Sequence, residues 1–255
     1  MRLCIVGNTD LPPRWVGNML GSLQPSFARV LRPDTEVVFK PSKGALRGDS
    51  YLDFDQPYFS FLNEARIVET FIEASREGFD AALVNCFGDP GVRVARHAVD
   101  MPIIGPGEAA LHFACQIGRK MAIIVPRLPG MRSQTEDQLR LHGLESRLIS
   151  NGIRCEPEPF EVAFARGQKD PGYTVEAVSE VARGCVADGA DVIVIACCGT
   201  GPLLSRAGFN RLVVDGQQVP VIDAMMVAAK MAETVADIRK GAGLPIPSRT
   251  RSHAL

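Results

Sequence analysis

The sequence holds 255 residues, with 28 basic against 29 acidic side chains, a formal net charge of −1 and 46% apolar residues. That length suits one large domain or two small ones with enough core to need no disulfide scaffold. A near-neutral chain without a Lys/Arg block also lacks the clustered cations that hold a nucleic-acid backbone or an anionic bilayer. Seven cysteines, with no Cys-x-x-Cys pair and no histidine at zinc-site spacing, read as free thiols of a reducing compartment; no metal site is expected.

Along the chain, short apolar runs alternate with helix-period segments. Leu3–Val6 reads as a first buried strand, and the start of the chain is apolar for only a few residues before Asn8 and Asp10. Neither a signal peptide nor a spanning helix is expected, which suits a soluble, cytoplasmic protein. Glu36–Phe39 is a second strand; Lys40–Tyr58, with two glycines and two prolines, reads as a long loop able to lid a site. Phe61–Glu77 has helix periodicity, with Phe61, Ala65, Val68 and Ile72 on one face, and stops at Gly78. Ala81–Asn85 and Ile103–Ile104 follow as strands, then Glu108–Ala114 as an Ala-rich helix, Met121–Val125 as a strand and Pro126–Gly130 as a turn. His97 and His112 fall on helices, with surface or supporting roles. Thr174–Asp188 is a second amphipathic helix, with Val175, Val178, Ala182 and Cys185 on one face and Gly189 at its end. Val192–Ala196 is another strand, Met225–Ala236 another Ala-rich helix, and the chain from Pro245 carries no pattern. Strands alternating with helices indicate an α/β protein with parallel sheets.

An internal repeat organises these elements. Gly78-Phe-Asp-Ala-Ala-Leu-Val-Asn-Cys86-Phe-Gly88 aligns without a gap on Gly189-Ala-Asp-Val-Ile-Val-Ile-Ala-Cys197-Cys-Gly199, so that Gly, Asp, Cys and Gly recur at one offset of 111 residues. Pro102 and Pro220 match at an offset of 118, leaving the second copy seven residues longer between its glycine and its proline. Two similar α/β halves of about 120 residues account for both matches.

Cys86 and Cys197 each stand where a buried parallel strand ends and the chain turns toward a helix. Ligand chemistry in open α/β sheets collects at that edge. The following Gly88 and Gly199 leave backbone N–H groups open to a thiolate or a developing enolate oxygen, and Asp89-Pro90 reads as a helix start. If the halves are related by a pseudo-twofold axis, the two thiols meet opposite faces of a substrate in the cleft. One then removes a proton from a stereogenic carbon and the other returns one, which is racemisation without a cofactor. Cys4, Cys115, Cys155 and Cys185 read as core, and Cys198 as a packing residue beside Cys197. Gly105-Pro106-Gly107 lacks the third glycine of a dinucleotide fingerprint, and no Walker sequence or Gly-x-Ser-x-Gly elbow is present.

Asn85-Cys86-Phe87-Gly88-Asp89-Pro90-Gly91, Pro102-Ile-Ile-Gly-Pro-Gly-Glu-Ala-Ala110, Ala196-Cys197-Cys198-Gly199 and Pro220-Val-Ile-Asp223 together resemble the aspartate/glutamate/hydantoin racemase superfamily. The first stretch resembles its hydantoin and allantoin branch, and the likeness runs over most of Met1–Glu233. It implies two Rossmann-like domains with the site between them. The chain crosses back, so that residues 1–100 with 214–255 form one domain and 101–213 the other. It also implies Cys86 and Cys197 as the catalytic acid/bases, no cofactor, a small-molecule substrate, no nucleic-acid or membrane partner, and self-association. Substrate contacts are expected from Asn8 and Thr9 after the first strand, from Phe87, Gly88 and Asp89 beside the first cysteine, and from Cys198, Gly199 and Thr200 beside the second. Arg127 is a candidate for an anionic group. Two departures bear on substrate. No histidine follows Cys197, as one does in glutamate racemases, and Val6-Gly7-Asn8-Thr9 keeps only half of the Asn-Pro-Asn-Thr loop of hydantoin-type enzymes. The expected activity is racemisation of a hydantoin, allantoin or related amino-acid derivative. The alternatives are a cysteine-dependent cis–trans isomerase of a small diacid and a non-catalytic small-molecule binding protein.

Overall fold

The computed structural model describes residues 1–10, 13–45 and 57–245. The chain divides into two compact units, Met1–Pro106 with Ala228–Leu255, and Gly107–Val227. Most of the loop expected over 40–58, and the tail after Pro245, lie outside the described residues.

The first unit is built on four parallel strands, β1 (Arg2–Val6), β2 (Glu36–Lys40), β3 (Ala81–Val84) and β4 (Ile103–Ile104), in the order β2-β1-β3-β4. Helices α1 (Pro13–Phe27), α2 (Pro57–Arg76) and α3 (Val92–Ala98) connect them. In the second unit β5 (Met121–Arg127), β6 (Leu148–Pro159), β7 (Val192–Ile195), β8 (Arg211–Val214) and β9 (Gln217–Asp223) lie in the order β6-β5-β7-β9-β8. All neighbours there are parallel except the hairpin β8–β9. Its helices are α4 (Pro106–Ile117), α5 (Met131–His142), α6 (Phe160–Lys169), α7 (Pro171–Ala187) and α8 (Thr200–Arg206); α9 (Ala224–Ala242) passes into the first unit at Ala228.

The two sheets repeat one order, with β5, β6, β7 and β9 standing where β1, β2, β3 and β4 stand. The conserved spacing found in the sequence has a physical basis at each position. Gly78 and Gly189, at φ 76° and 97°, end α2 and α7 in a conformation open to glycine. Asp80 then accepts the Arg2 N–H at the head of β1 at 2.7 Å, as Asp191 accepts those of Arg119 and Lys120 just before β5 at 3.0 and 2.9 Å. The seven extra residues of the second copy coincide with the hairpin strand β8, which turns at Asp215-Gly216 with both φ positive, as a tight two-residue β-turn requires. Because β9 pairs with β7, residues 217–223 belong to the second sheet, later in the chain than the crossing expected at 213/214.

Every residue of β3 and β7 is buried. On the first sheet, Ile67, Phe71 and Ala74 of α2 pack against Cys4, Val6, Ala82 and Val84; on the second, Val178, Ala182 and Cys185 of α7 pack against Ala122, Ile124, Ile193 and Ile195. The α7 stripe is the one expected from periodicity. The α2 stripe is rotated by one residue: Phe61 is 69% exposed and Ala65 exposed, with Val68 and Ile72 only half-buried. Two overlapping apolar stripes run along α2, and the one carrying the Phe71 ring faces the sheet. Two other expectations also shift. The strand β5 continues through Pro126 to Arg127, because a register shift in its pairing with β6 accommodates a residue without an N–H. Cys115 and Cys155 are half-buried, whereas Cys4 and Cys185 are core.

Phe71 has no exposed surface. Phe71→Ala is expected to cost about 3–5 kcal/mol, read as a lower urea midpoint at unchanged m-value.

Candidate active site

In the first unit the chain leaves adjacent strands β1 and β3 at their carboxyl edge. Asn8 and Thr9 follow β1, and Asn85 to Asp89 follow β3; the two exits are tied together by the Asn85 N–H donating to the Val6 carbonyl at 2.8 Å. Cys86 is half-buried and rests on the first core, with Phe87 buried beside it. Thr9 is buried, and the Asn8 carbonyl accepts from the Asn63 amide at 2.9 Å, which fixes the β1 exit to α2. Asp89 takes φ 52°, and its N–H returns to the Cys86 carbonyl at 3.3 Å. Its carboxylate lies so close to Gly105 that a Cβ there would stand 2.4 Å from Oδ2, so a larger residue at 105 would displace the carboxylate. The helix after this turn starts at Val92, two residues beyond the expected Asp89-Pro90 start, because Gly91 at φ 73° completes the turn first.

In the second unit, Arg127 ends β5 and Asp223 ends β9, Cys197 stands two residues beyond the end of β7, and Glu156 lies within β6 next to the Cys155 that pairs with Val125. Cys197 and Cys198 are both buried, and the chain turns at once into α8. The N–H groups of Gly199 and Thr200 both donate to Cys197 Sγ at 3.4 Å. Thr200 is itself buried, 2% exposed. The thiol is nonetheless pushed up to about 11, first by burial and then by the Glu156 charge, with the Thr200 hydroxyl and the two N–H groups opposing. Cys4 is pushed up to about 12, first by burial and also by the Glu77 charge, with Lys40 and Arg2 opposing, which fits a packing residue. Asp223 is structural: buried, it accepts from Ser205 Oγ at 2.8 Å and from the Met225 N–H at 3.0 Å at the start of α9. Arg127 is exposed, with Nε donating to the Glu156 carbonyl at 3.0 Å.

Within each unit, then, the structure gathers the expected residues: Asn8, Thr9, Cys86, Phe87, Gly88 and Asp89 at one edge, and Arg127, Cys197, Cys198, Gly199 and Thr200 at the other. Glu156 was not anticipated. It is 2% exposed, and its carboxyl is pushed up to about 7 by burial, with the Thr200 hydroxyl opposing. The signal was available in the repeat. The strand β6 occupies the place of β2, so a polar residue in its second half falls beside the cysteine strand's neighbour, but Gly152, Pro157 and Pro159 hide β6 from any pattern search. Among the described residues no group of three His, Cys, Asp or Glu could hold a metal ion, and no helix is long and apolar enough to cross a membrane.

The chain belongs to the Asp/Glu/Hydantoin racemase family, whose model matches residues 28–232, and it is an isomerase of the racemase type. Its likeness lies with the hydantoin/allantoin branch. It is 28% identical over 211 residues to the hydantoin racemase of Pseudomonas sp. (strain NS671), covering 82% of this chain and 77% of that one. Identity reaches 31% over 193 residues with the hydantoin racemase of Paenarthrobacter aurescens, covering 74% and 75%. Among solved structures, allantoin racemase from Klebsiella pneumoniae superposes with a TM-score of 0.75 at 21% identity, covering 100% of this chain and 96% of that one, which shows the shared fold.

The raised Glu156 carboxyl couples stability to pH. Its folded value of about 7 lies above the ordinary 4.5, so the fold favours the neutral form. That contribution is complete below 4.5 and is lost as pH rises through 7, a difference of about 3 kcal/mol. Glu156→Gln, which mimics the neutral acid, is therefore expected to match the native chain near pH 4 and to exceed it by up to about 3 kcal/mol at pH 8, by urea denaturation at both values.

Proposed function

We propose that this chain racemises a 5-substituted hydantoin or a close relative such as allantoin, without a cofactor, using Cys86 and Cys197 as opposed acid and base. The observation that carries this reading is the equivalence of the two thiols. Each closes the buried central strand of its sheet, each is followed by a glycine, and each sits at the edge where its neighbours place polar groups. The substrate class comes from what the hydantoin racemases and allantoin racemase act on, and from the chemistry of the ring. A C5–H beside an imide-type carbonyl is acidified because the carbanion delocalises as an enolate, and backbone N–H groups in a water-poor site stabilise that oxygen. A thiolate then removes the C5 proton from one face of the ring. The planar intermediate takes a proton from the other thiol on the opposite face, and the two thiols end the turnover with their protonation exchanged. Asn8 and Thr9 would hydrogen-bond the ring at the first cysteine, as would the loop residues Phe87, Gly88 and Asp89. Cys198, Gly199 and Thr200 would do so at the second, and Arg127 would meet any ionised substituent. The enzyme is further proposed to be cytoplasmic and self-associated.

Both enantiomers of 5-methylhydantoin and of allantoin provide the test, followed by optical rotation. Native protein is expected to bring at least one pair to the racemate, while Cys86→Ser and Cys197→Ser each lose 10²-fold or more in rate. Full activity in either variant would remove the two-thiol mechanism.

A further inference from the structure

The loop of the first cysteine sends a carboxyl across to the next strand. Asp89 stands three residues after Cys86 and holds φ 52°, a left-handed backbone that Asp tolerates better than most residues. Its main chain closes the turn: the N–H donates to the Cys86 carbonyl at 3.3 Å, and the carbonyl accepts from the Val92 N–H at 3.3 Å. The half-buried side chain reaches the exit of β4. Gly105 is the single residue between β4 and α4. A Cβ built on it would meet Asp89 Cγ at 2.5 Å and Oδ1 at 2.9 Å, so the Asp89 carboxyl fills the space that a side chain on residue 105 would take.

That space is the N-cap position of α4. The first N–H groups of a helix have no partner within it, and an Asp side chain just before the helix accepts from them, which glycine cannot do. The second half has the same parts exchanged. The offset of 118 residues that carries Pro102 onto Pro220 also carries Gly105 onto Asp223. Asp223 precedes α9 directly and caps it, accepting from the Met225 and Met226 N–H groups at 3.0 and 3.4 Å. Against it, four residues after Cys197, stands Gly201, where a Cβ would lie 2.9 Å from Asp223 Oδ1. Each half therefore sets one carboxyl against one glycine where the chain after the cysteine meets the exit of the edge-side strand, β4 or β9. In the second half the carboxyl belongs to the strand exit and holds α8 through Ser205 Oγ at 2.8 Å. In the first half it belongs to the cysteine loop itself.

We infer that Asp89 is a positioning residue for Cys86: its carboxyl supplies from the loop the N-cap that Gly105 lacks, and so pins the loop, and with it the first thiol, to the exit of β4. Its use in turnover rests on the two-thiol racemase reading. A proton moves between thiol and ring carbon only in a close, aligned approach, and a misplacement of about 1 Å can cost about 10²-fold in rate. The pin therefore acts on turnover more than on binding. A carboxylate has acceptor sites on two oxygens, so the group that pins the loop can also meet the ring.

Exchanging the two residues, as the second half does, separates the pin from the cap. Asp89→Gly removes the carboxyl and keeps a backbone that glycine adopts freely. Asp89→Gly with Gly105→Asp returns a carboxyl to the N-cap of α4 from the strand exit, as Asp223 stands before α9, without returning the pin to the loop. The single variant is expected to lower the urea midpoint. It should also raise the rate of Cys86 alkylation by iodoacetamide about fivefold or more, followed by peptide mass spectrometry with Cys197 as internal reference. The double variant is expected to recover the midpoint and to keep the raised Cys86 rate. For the enantiomer pair that the native enzyme racemises, both variants are expected to lose about tenfold in kcat with KM within about threefold. Asp89→Asn, which keeps the capping group and the left-handed backbone, is expected to keep the native Cys86 alkylation rate. Recovery of the Cys86 rate and kcat together with the midpoint in the double variant would reduce Asp89 to a helix cap and overturn the inference. A native Cys86 rate in Asp89→Gly, or a double variant no more stable than the single, would overturn it as well. A raised Cys86 rate with no racemisation of any hydantoin by the native protein would instead leave the pin in place and remove the proposed substrate class.

Discussion

Complete burial of the two central strands is the constraint from which the rest of this structure follows. A parallel strand covered on both faces has no polar side chain to offer along its length, and its backbone groups are consumed by the ladders on either side. Polar chemistry can begin only where the ladder ends. In β3 that point is Asn85-Cys86, and in β7 it is Ala196-Cys197. The neighbours end at the same edge, because parallel register aligns Val6 with Val84 and Ile124 with Ile195. Asn8 and Thr9, or Arg127 and Glu156, are delivered beside the cysteines by the pairing itself.

At Cys197 the same burial works against ionisation, and the local groups answer it. Two backbone N–H groups and a hydroxyl favour the thiolate, while desolvation and the charge of Glu156 oppose it. The balance is a thiol raised first by its burial and further by the charge of its acidic neighbour. The glutamate is tolerated there because its neutral form is the one its burial favours.

The parts of this architecture legible in the sequence were those set by local, repeated physics. Gly78 and Gly189 end helices, Asp80 and Asp191 accept strand N–H groups, and Cys86 and Cys197 mark strand ends, so a repeat of these residues announced both halves and both thiols. The extra seven residues of the second copy became the β8–β9 hairpin, which no periodicity would suggest but which Asp215-Gly216 signals as a turn. Other features depend on tertiary context. The face α2 presents was misjudged because Phe61 and Phe71 lie on overlapping stripes and only the sheet chooses between them. Glu156 was invisible because β6 is interrupted by Gly152 and two prolines, and because a lone glutamate gains its character from burial and from Thr200, neither of which is local in sequence.

Two opposed thiols make a stereochemical claim, and isotope incorporation reads it directly. With one enantiomer of a turned-over substrate in deuterated water, stopped early in the reaction, mass spectrometry of the separated enantiomers should find one deuterium at the stereogenic carbon of the product and none in the recovered starting enantiomer. The proton is removed by one thiol and a solvent-derived deuteron is returned by the other. Deuterium entering the recovered starting enantiomer as fast as it enters the product, or a product that retains its protium, would contradict the two-thiol account.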